Sequence, residues 1–179
     1  ERDGQEPPAL IAAAMKASNV FFCVVGKSIT HTQAVKEAVA NGSRGLVLTH
    51  FSEDMMVRGG IEADFPAIAP VCQGVARALE GAQEVHLTST FGTDLTYSAK
   101  GRRGNALYGV VKPGQFSTIP TIEANVSPLE GTANGTIVAN ASVPYIGIGV
   151  LEEPIVCQAK DGRIISMEGE RQAQMLKKD

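Results

Sequence analysis

The apolar run Val20-Phe21-Phe22-Cys23-Val24-Val25, followed by a helical segment and a second apolar run from Arg44 to Thr49, constrains this chain more than any other feature. Short, continuous runs with β-branched and aromatic content predict strands buried on both faces. Between them, Ser28 and Thr30 offer hydroxyl caps for a helix from about His31 to Ala40, which Asn41-Gly42 closes. A strand, a helix and a strand joined so tightly imply parallel pairing with a right-handed crossover. Ahead of this unit, Pro7 and Pro8 sit where an Ala-rich helix over 9–17 begins. Beyond it, Ser52 caps a short helix through Met55 and Met56, and a longer helix runs from about Pro66 to Leu79. Glu84 to Thr90 reads as the third strand. The fold class predicted is α/β, a mostly parallel sheet flanked by helices.

After Thr90 glycine and proline become frequent and helical periodicity stops, so a β-rich region with hairpins follows. The expected division is an α/β layer over 1–92 and a β-rich region over 93–179. Asp94 to Ala99, Thr121 to Val126 and Thr136 to Ala141 are strand candidates. The clearest hairpin is Ile155 to Ala159, Asp161-Gly162 and Arg163 to Met167, because Asp-Gly supplies the positive φ angles of a primed turn. From Glu170 the pattern is helical and is interrupted at Asp179; with no Met at Glu1, the expectation is an internal piece of a longer protein.

Composition narrows the function classes. With 44% hydrophobic residues in 179, the chain can bury a real core. Sixteen Lys+Arg against nineteen Asp+Glu leave a net charge of −3, which argues against a nucleic-acid surface. The longest apolar run is far below the ~20 residues of a membrane span, so no membrane partner is expected. Cys23, Cys72 and Cys157 are odd in number and lie in apolar stretches, which predicts reduced thiols and a cytoplasmic setting.

Among the motifs, Gly26-Lys27-Ser28 follows a strand as the end of a phosphate loop does, but Phe21 stands where the loop's first glycine belongs. It reads as a strand-to-helix turn. His31, His50 and His86 form no ligand pair at metal-binding spacing, and no Gly-x-Ser-x-Gly is present. His50 has the better position, at the carboxyl end of a strand. Lys100, Arg102 and Arg103 lie on a glycine-flanked loop, where they could clamp a carboxylate or phosphate of a substrate or stand as a solvated loop. The densest candidate is the block from Pro120 to Thr136. Within it Glu123 sits in an apolar strand candidate, where an ionised carboxylate needs a cation or a donor. A metal ion would meet that need, whereas an outward-facing glutamate would have none.

At this block the sequence resembles the aminopeptidase T (leucyl aminopeptidase) family of metallopeptidases. The resemblance is carried by Phe91 to Arg102, by Pro120 to Thr136, and by Asp161 to Gly169. It implies a hydrolase that removes N-terminal residues from peptides with two divalent ions, zinc, cobalt or manganese, and a homo-oligomeric assembly. By the same resemblance Glu123 matches a metal ligand, while the remaining ligands lie C-terminal to the hairpin and helix. The piece alone is therefore expected to be inactive. Related segments occur in 2,5-dihydroxypyridine ring-cleaving dioxygenases, which use iron and oxygen on a small-molecule substrate; this is the alternative enzyme. The non-enzymatic alternative is a small-anion binding domain built on Arg102 and Arg103.

Overall fold

The computed structural model describes residues 2–144 and 146–178. Along the chain the elements are α1 (Ala9–Ala17), β1 (Val20–Val25), α2 (Gln33–Ala40), β2 (Arg44–Thr49), α3 (Phe65–Gly81), β3 (Glu84–Thr88), β4 (Asp94–Ser98), β5 (Asn105–Leu107), β6 (Phe116–Thr118), β7 (Glu123–Asn125), β8 (Asn134–Ala139), β9 (Ser142–Val143), β10 (Gly149–Val150), β11 (Ile155–Lys160), β12 (Arg163–Glu168) and α4 (Arg171–Leu176). They fall into two compact units, 1–76 with 105–125, and 77–104 with 126–179. The chain thus passes between units three times, where a single boundary near residue 92 was expected. Glu1 and Asp179, on which the expectation of a longer protein rests, lie outside the described residues.

In the first unit β1 and β2 pair in parallel, with Phe21 opposite Gly45 and Cys23 opposite Val47. The α2 crossover supplies Val35 and Ala38 to a core completed by Met15, Phe21, Cys23 and Val47. Thr32, not Ser28 or Thr30, caps α2: its hydroxyl oxygen accepts from the Val35 N–H. Ser28 and Thr30 instead hydrogen-bond each other at 2.9 Å. The third parallel strand is β6, which joins β2 through Gly45, Leu46 and Val47. Glu84 to Thr90 was the expected third strand, but β3 enters an antiparallel sheet. Burial on both faces of β1 also fails. Phe21 and Cys23 are buried, yet Phe22 is 67% and Val24 61% exposed, because only one face of this strand carries a packed layer.

The second unit is a five-stranded sheet in the order β12-β11-β8-β4-β3, antiparallel throughout. Asp161 (φ 49°) and Gly162 (φ 73°) are both left-handed, as the primed two-residue turn demands. Alternation puts Ile155 and Cys157 on the apolar face, where α4 lays its fully buried Ala173 against them. Burial raises the pKa of the Cys23 and Cys157 thiols, and all three cysteines are free. No described helix is long and apolar enough to cross a membrane.

At Gly135 (φ 127°) a Cβ would stand 2.1 Å from the Asp94 carbonyl oxygen, in the middle of the β4–β8 pairing. Gly135→Ala is therefore expected to destabilise the chain by about 2 kcal/mol or more in urea unfolding, through strain and a separated strand pair. A loss below about 0.5 kcal/mol would show that the pairing is not needed for stability.

Candidate functional site

In open α/β sheets, ligands collect beyond the carboxyl ends of the parallel strands. There β1 runs into Gly26-Lys27-Ser28, and β2 is followed directly by His50, whose φ is 54°. Histidine tolerates the left-handed region better than most residues, and here the His50 N–H donates to the Val25 carbonyl at 2.9 Å. The turn that resembles the end of a phosphate loop is closed by the chain's own carboxylates. Asp3 Oδ1 accepts from the Ser28 N–H at 2.6 Å, and Asp3 lies 3.9 Å from Lys27 Nζ. Glu6 accepts from the Gln33 and Ala34 N–H groups at 2.5 and 3.1 Å, so a carboxylate already sits at the start of α2. Asp3 and Glu6 carried no signal in the sequence, since their partners are about 25 residues away and backbone groups leave no pattern.

Glu123 lies in the first unit on the ribbon β5–β7, opposite Leu107. It is exposed, and its carboxylate accepts from the Asn125 side-chain amide. Asn125 in turn accepts from Asn105 Nδ2 at 3.0 Å, so the three polar side chains form one chain along the ribbon. Behind it the buried Cys72 thiol donates to the Glu123 carbonyl at 2.9 Å. The glutamate therefore has a neutral donor, and among the described residues no group of three or more His, Cys, Asp or Glu gathers to hold a metal.

Arg102 and Arg103 belong to the second unit. Arg102 is bonded through Nη2 to the Glu130 carboxylate, while Arg103 is exposed. The hydrogen bond from Glu130's own backbone, and then the Arg102 guanidinium, hold the Glu130 carboxyl below its usual range. His86 Nε2 lies 2.7 Å from Asp94 Oδ1 on the exposed face of the antiparallel sheet, and His31 is exposed. Among the described residues the histidines join no group that could hold a metal ion.

The parallel β1-α2-β2 unit and the antiparallel sheet define a mixed α/β protein. More narrowly, the family NicX, 2,5-dihydroxypyridine 5,6-dioxygenase, matches residues 4–178, and the chain belongs to that family. A similar solved structure is the 2,5-dihydroxypyridine dioxygenase from Pseudomonas putida KT2440, with a TM-score of 0.76 and 19% identity. The match covers 94% of this chain and 48% of that one, so the chain spans about half the length of the solved relative. At that identity the likeness shows the fold. No curated protein matches the chain.

The family match overturns the resemblance to aminopeptidase T, and with it the reading as a peptide hydrolase and protease. The resemblance rested on three blocks, Phe91 to Arg102, Pro120 to Thr136 with its Glu123, and the Asp-Gly hairpin from Asp161 to Gly169. A hairpin follows from turn chemistry alone. A strand glutamate that faces solvent and meets an amide needs no metal, so neither the hairpin nor the glutamate separates a peptidase from an oxygenase.

Because the depressed Glu130 pKa lies below its unfolded value, the Arg102 contact contributes above the ordinary carboxylate range and is lost as pH falls through the folded value. Arg102→Ala should raise the Glu130 midpoint in a side-chain carboxyl NMR titration, but leave it depressed by the backbone hydrogen bond. An unmoved midpoint would remove the ion pair from the account.

Proposed function

We propose that these residues are the scaffold part of a non-haem iron dioxygenase that opens the ring of a dihydroxypyridine with molecular oxygen. The observation that supports this reading is the family match through residues 4–178, which runs across both units. On this reading the substrate is a small aromatic molecule, the metal is iron rather than zinc, cobalt or manganese, and the enzyme works in the cytoplasm with reduced cysteines. Iron does not fit the described residues by themselves. Its usual protein donors are imidazole and carboxylate, and no three of those come together here. No catalytic step is therefore derived through it.

What the chain's own residues do is structural and positional. The Phe21 and Val47 core fixes the parallel strands, and Asp3 and Glu6 hold the loop after β1 and the start of α2. Arg103 stands as a proposed contact for an anionic substrate oxygen, since Arg102 is already engaged by Glu130. Glu123 stands as a proposed single metal ligand that would exchange its Asn125 partner for the ion.

The test is oxygen uptake with 2,5-dihydroxypyridine and ferrous iron, run on the protein expressed from the uninterrupted reading frame that carries these residues. Equimolar loss of oxygen and substrate is expected. Hydrolysis of leucine p-nitroanilide without oxygen uptake would overturn the reading. In the same preparation, Glu123→Ala should lower retained iron and Arg103→Ala should raise KM without lowering iron. The 179-residue chain alone is expected to retain no stoichiometric iron after desalting, read by metal analysis.

A further inference from the structure

The parallel sheet has the order β1-β2-β6, so β2 is its middle strand. From the end of β2 the chain runs through residues 50–64 before α3 begins at Phe65. Connections in compact domains are mostly about 4–6 residues long, and those beyond ~12–15 are usually lids or binding loops.

The two ends of this connection are fixed. His50, left-handed at φ 54°, turns the chain off the strand while its N–H stays on the Val25 carbonyl. Asp64 Oδ1 accepts from the Ala67 N–H at 3.0 Å and secures the first turn of α3.

Between its ends the segment is held by itself. It makes two short turns of 3-10 helix, Asp54–Met56 and Gly59–Glu62. Ser52 Oγ accepts from the Met55 N–H at 3.3 Å, the Glu62 carboxylate accepts from the Gly59 N–H at 2.8 Å, and Asp54 pairs with Arg58. Among the described residues, the backbone hydrogen bonds that join strand, helix and loop leave 51–63 with local partners only, the carbonyls of Glu53, Asp54 and Gly60. No residue from 51 to 64 is buried, and the core of the first unit draws on none of them. A segment with local hydrogen bonds and no buried side chain opens without unfolding its neighbours.

Its resting place is set by a close approach. A Cβ on Gly60 would stand 2.9 Å from the Cβ and Cγ of Pro120, two residues past the end of β6. The segment thus leaves the end of β2 and comes down beside the end of its neighbour β6. That is where ligands collect in open α/β sheets.

We propose that 51–63 is a lid, hinged at His50 and Asp64 and resting on Pro120 when closed, that covers a small aromatic ligand at the carboxyl ends of β2 and β6. Met56 and Val57 are 56% and 73% exposed. The cation of the segment, Arg58, is already engaged by Asp54, so what the lid offers a ligand is apolar surface. Closure of such a surface over a ring excludes water from it. That the ring is a dihydroxypyridine rests on the dioxygenase reading.

The test is hydrogen exchange, read by mass spectrometry, on the protein expressed from the uninterrupted reading frame. Without ligand, the amides of 51–63 are expected to exchange at least about a hundredfold faster than those of β2, at a rate that dilute urea does not change. Exchange in 51–63 as slow as in β2 overturns the lid. Gly60→Ala wedges the segment off Pro120 and should raise exchange there a further ~threefold or more, with the thermal midpoint unchanged. No rise in that variant overturns the closed position, and the proposal with it. Saturation with 2,5-dihydroxypyridine under nitrogen should slow exchange in 51–63 about tenfold, and Val57→Lys should raise KM about tenfold with retained iron unchanged. An enzyme that takes up oxygen with this substrate yet shows no slowing in 51–63 overturns the lid and leaves the dioxygenase reading intact. Fast exchange and a Gly60→Ala effect in a protein that takes up no oxygen support the lid and sink that reading instead.

Discussion

The contact between the Phe21 ring and the backbone of Gly45 governs the first unit. A Cβ on residue 45 would stand 2.0 Å from that ring, so the pairing of β1 with β2 at this register requires a residue without one. With Phe21 seated there, Cys23 and Val47 follow to the same side and meet Val35 and Ala38 of the crossover helix. The strand period of two then leaves no freedom. Phe22 and Val24 must face away, and their exposure is the direct consequence of how well the other side packs.

The second unit is organised by a turn instead of a helix. Asp161 and Gly162 reverse the chain so that β11 lies between β12 and β8, which turns Ile155 and Cys157 toward α4. The hairpin tip is held from the side as well: the Asp161 N–H donates to Asn134 Oδ1 at 3.0 Å, and the Gly162 N–H to the Ala133 carbonyl at 2.9 Å. Gly162 approaches Gly131 so closely that a Cβ would lie 2.7 Å from its backbone nitrogen. Glycine at 162 thus answers two demands at once, the positive φ and the close approach.

The functional assignment rests on kinship, and the geometry disciplines what kinship allows. Glu123 and Arg102 were the residues whose chemistry seemed to demand a ligand, an apolar-strand carboxylate and a loop guanidinium. In the fold each finds a partner within its own unit, Asn125 for one and Glu130 for the other. A charged group satisfied internally gives no argument for a cofactor, which is why the choice between peptidase and oxygenase could not be made from these residues.

Much of the architecture was legible. The helix over 9–17, the parallel β1-α2-β2 unit, the Asp-Gly hairpin and the terminal helix all follow from periodicity and turn chemistry, which act between near neighbours. Glu84 to Thr90 looked like one more parallel strand because a strand's own residues do not record its partner; antiparallel pairing with β4 came from the short turn after it. The site was less legible. Asp3 and Glu6 reach backbone amides far along the chain, and such contacts leave no spacing to read. By itself the sequence determined which segments form strands and helices, since those preferences are local. Only the tertiary structure decided which apolar faces are covered and which charges are matched, because each depends on groups that meet only after the chain has folded.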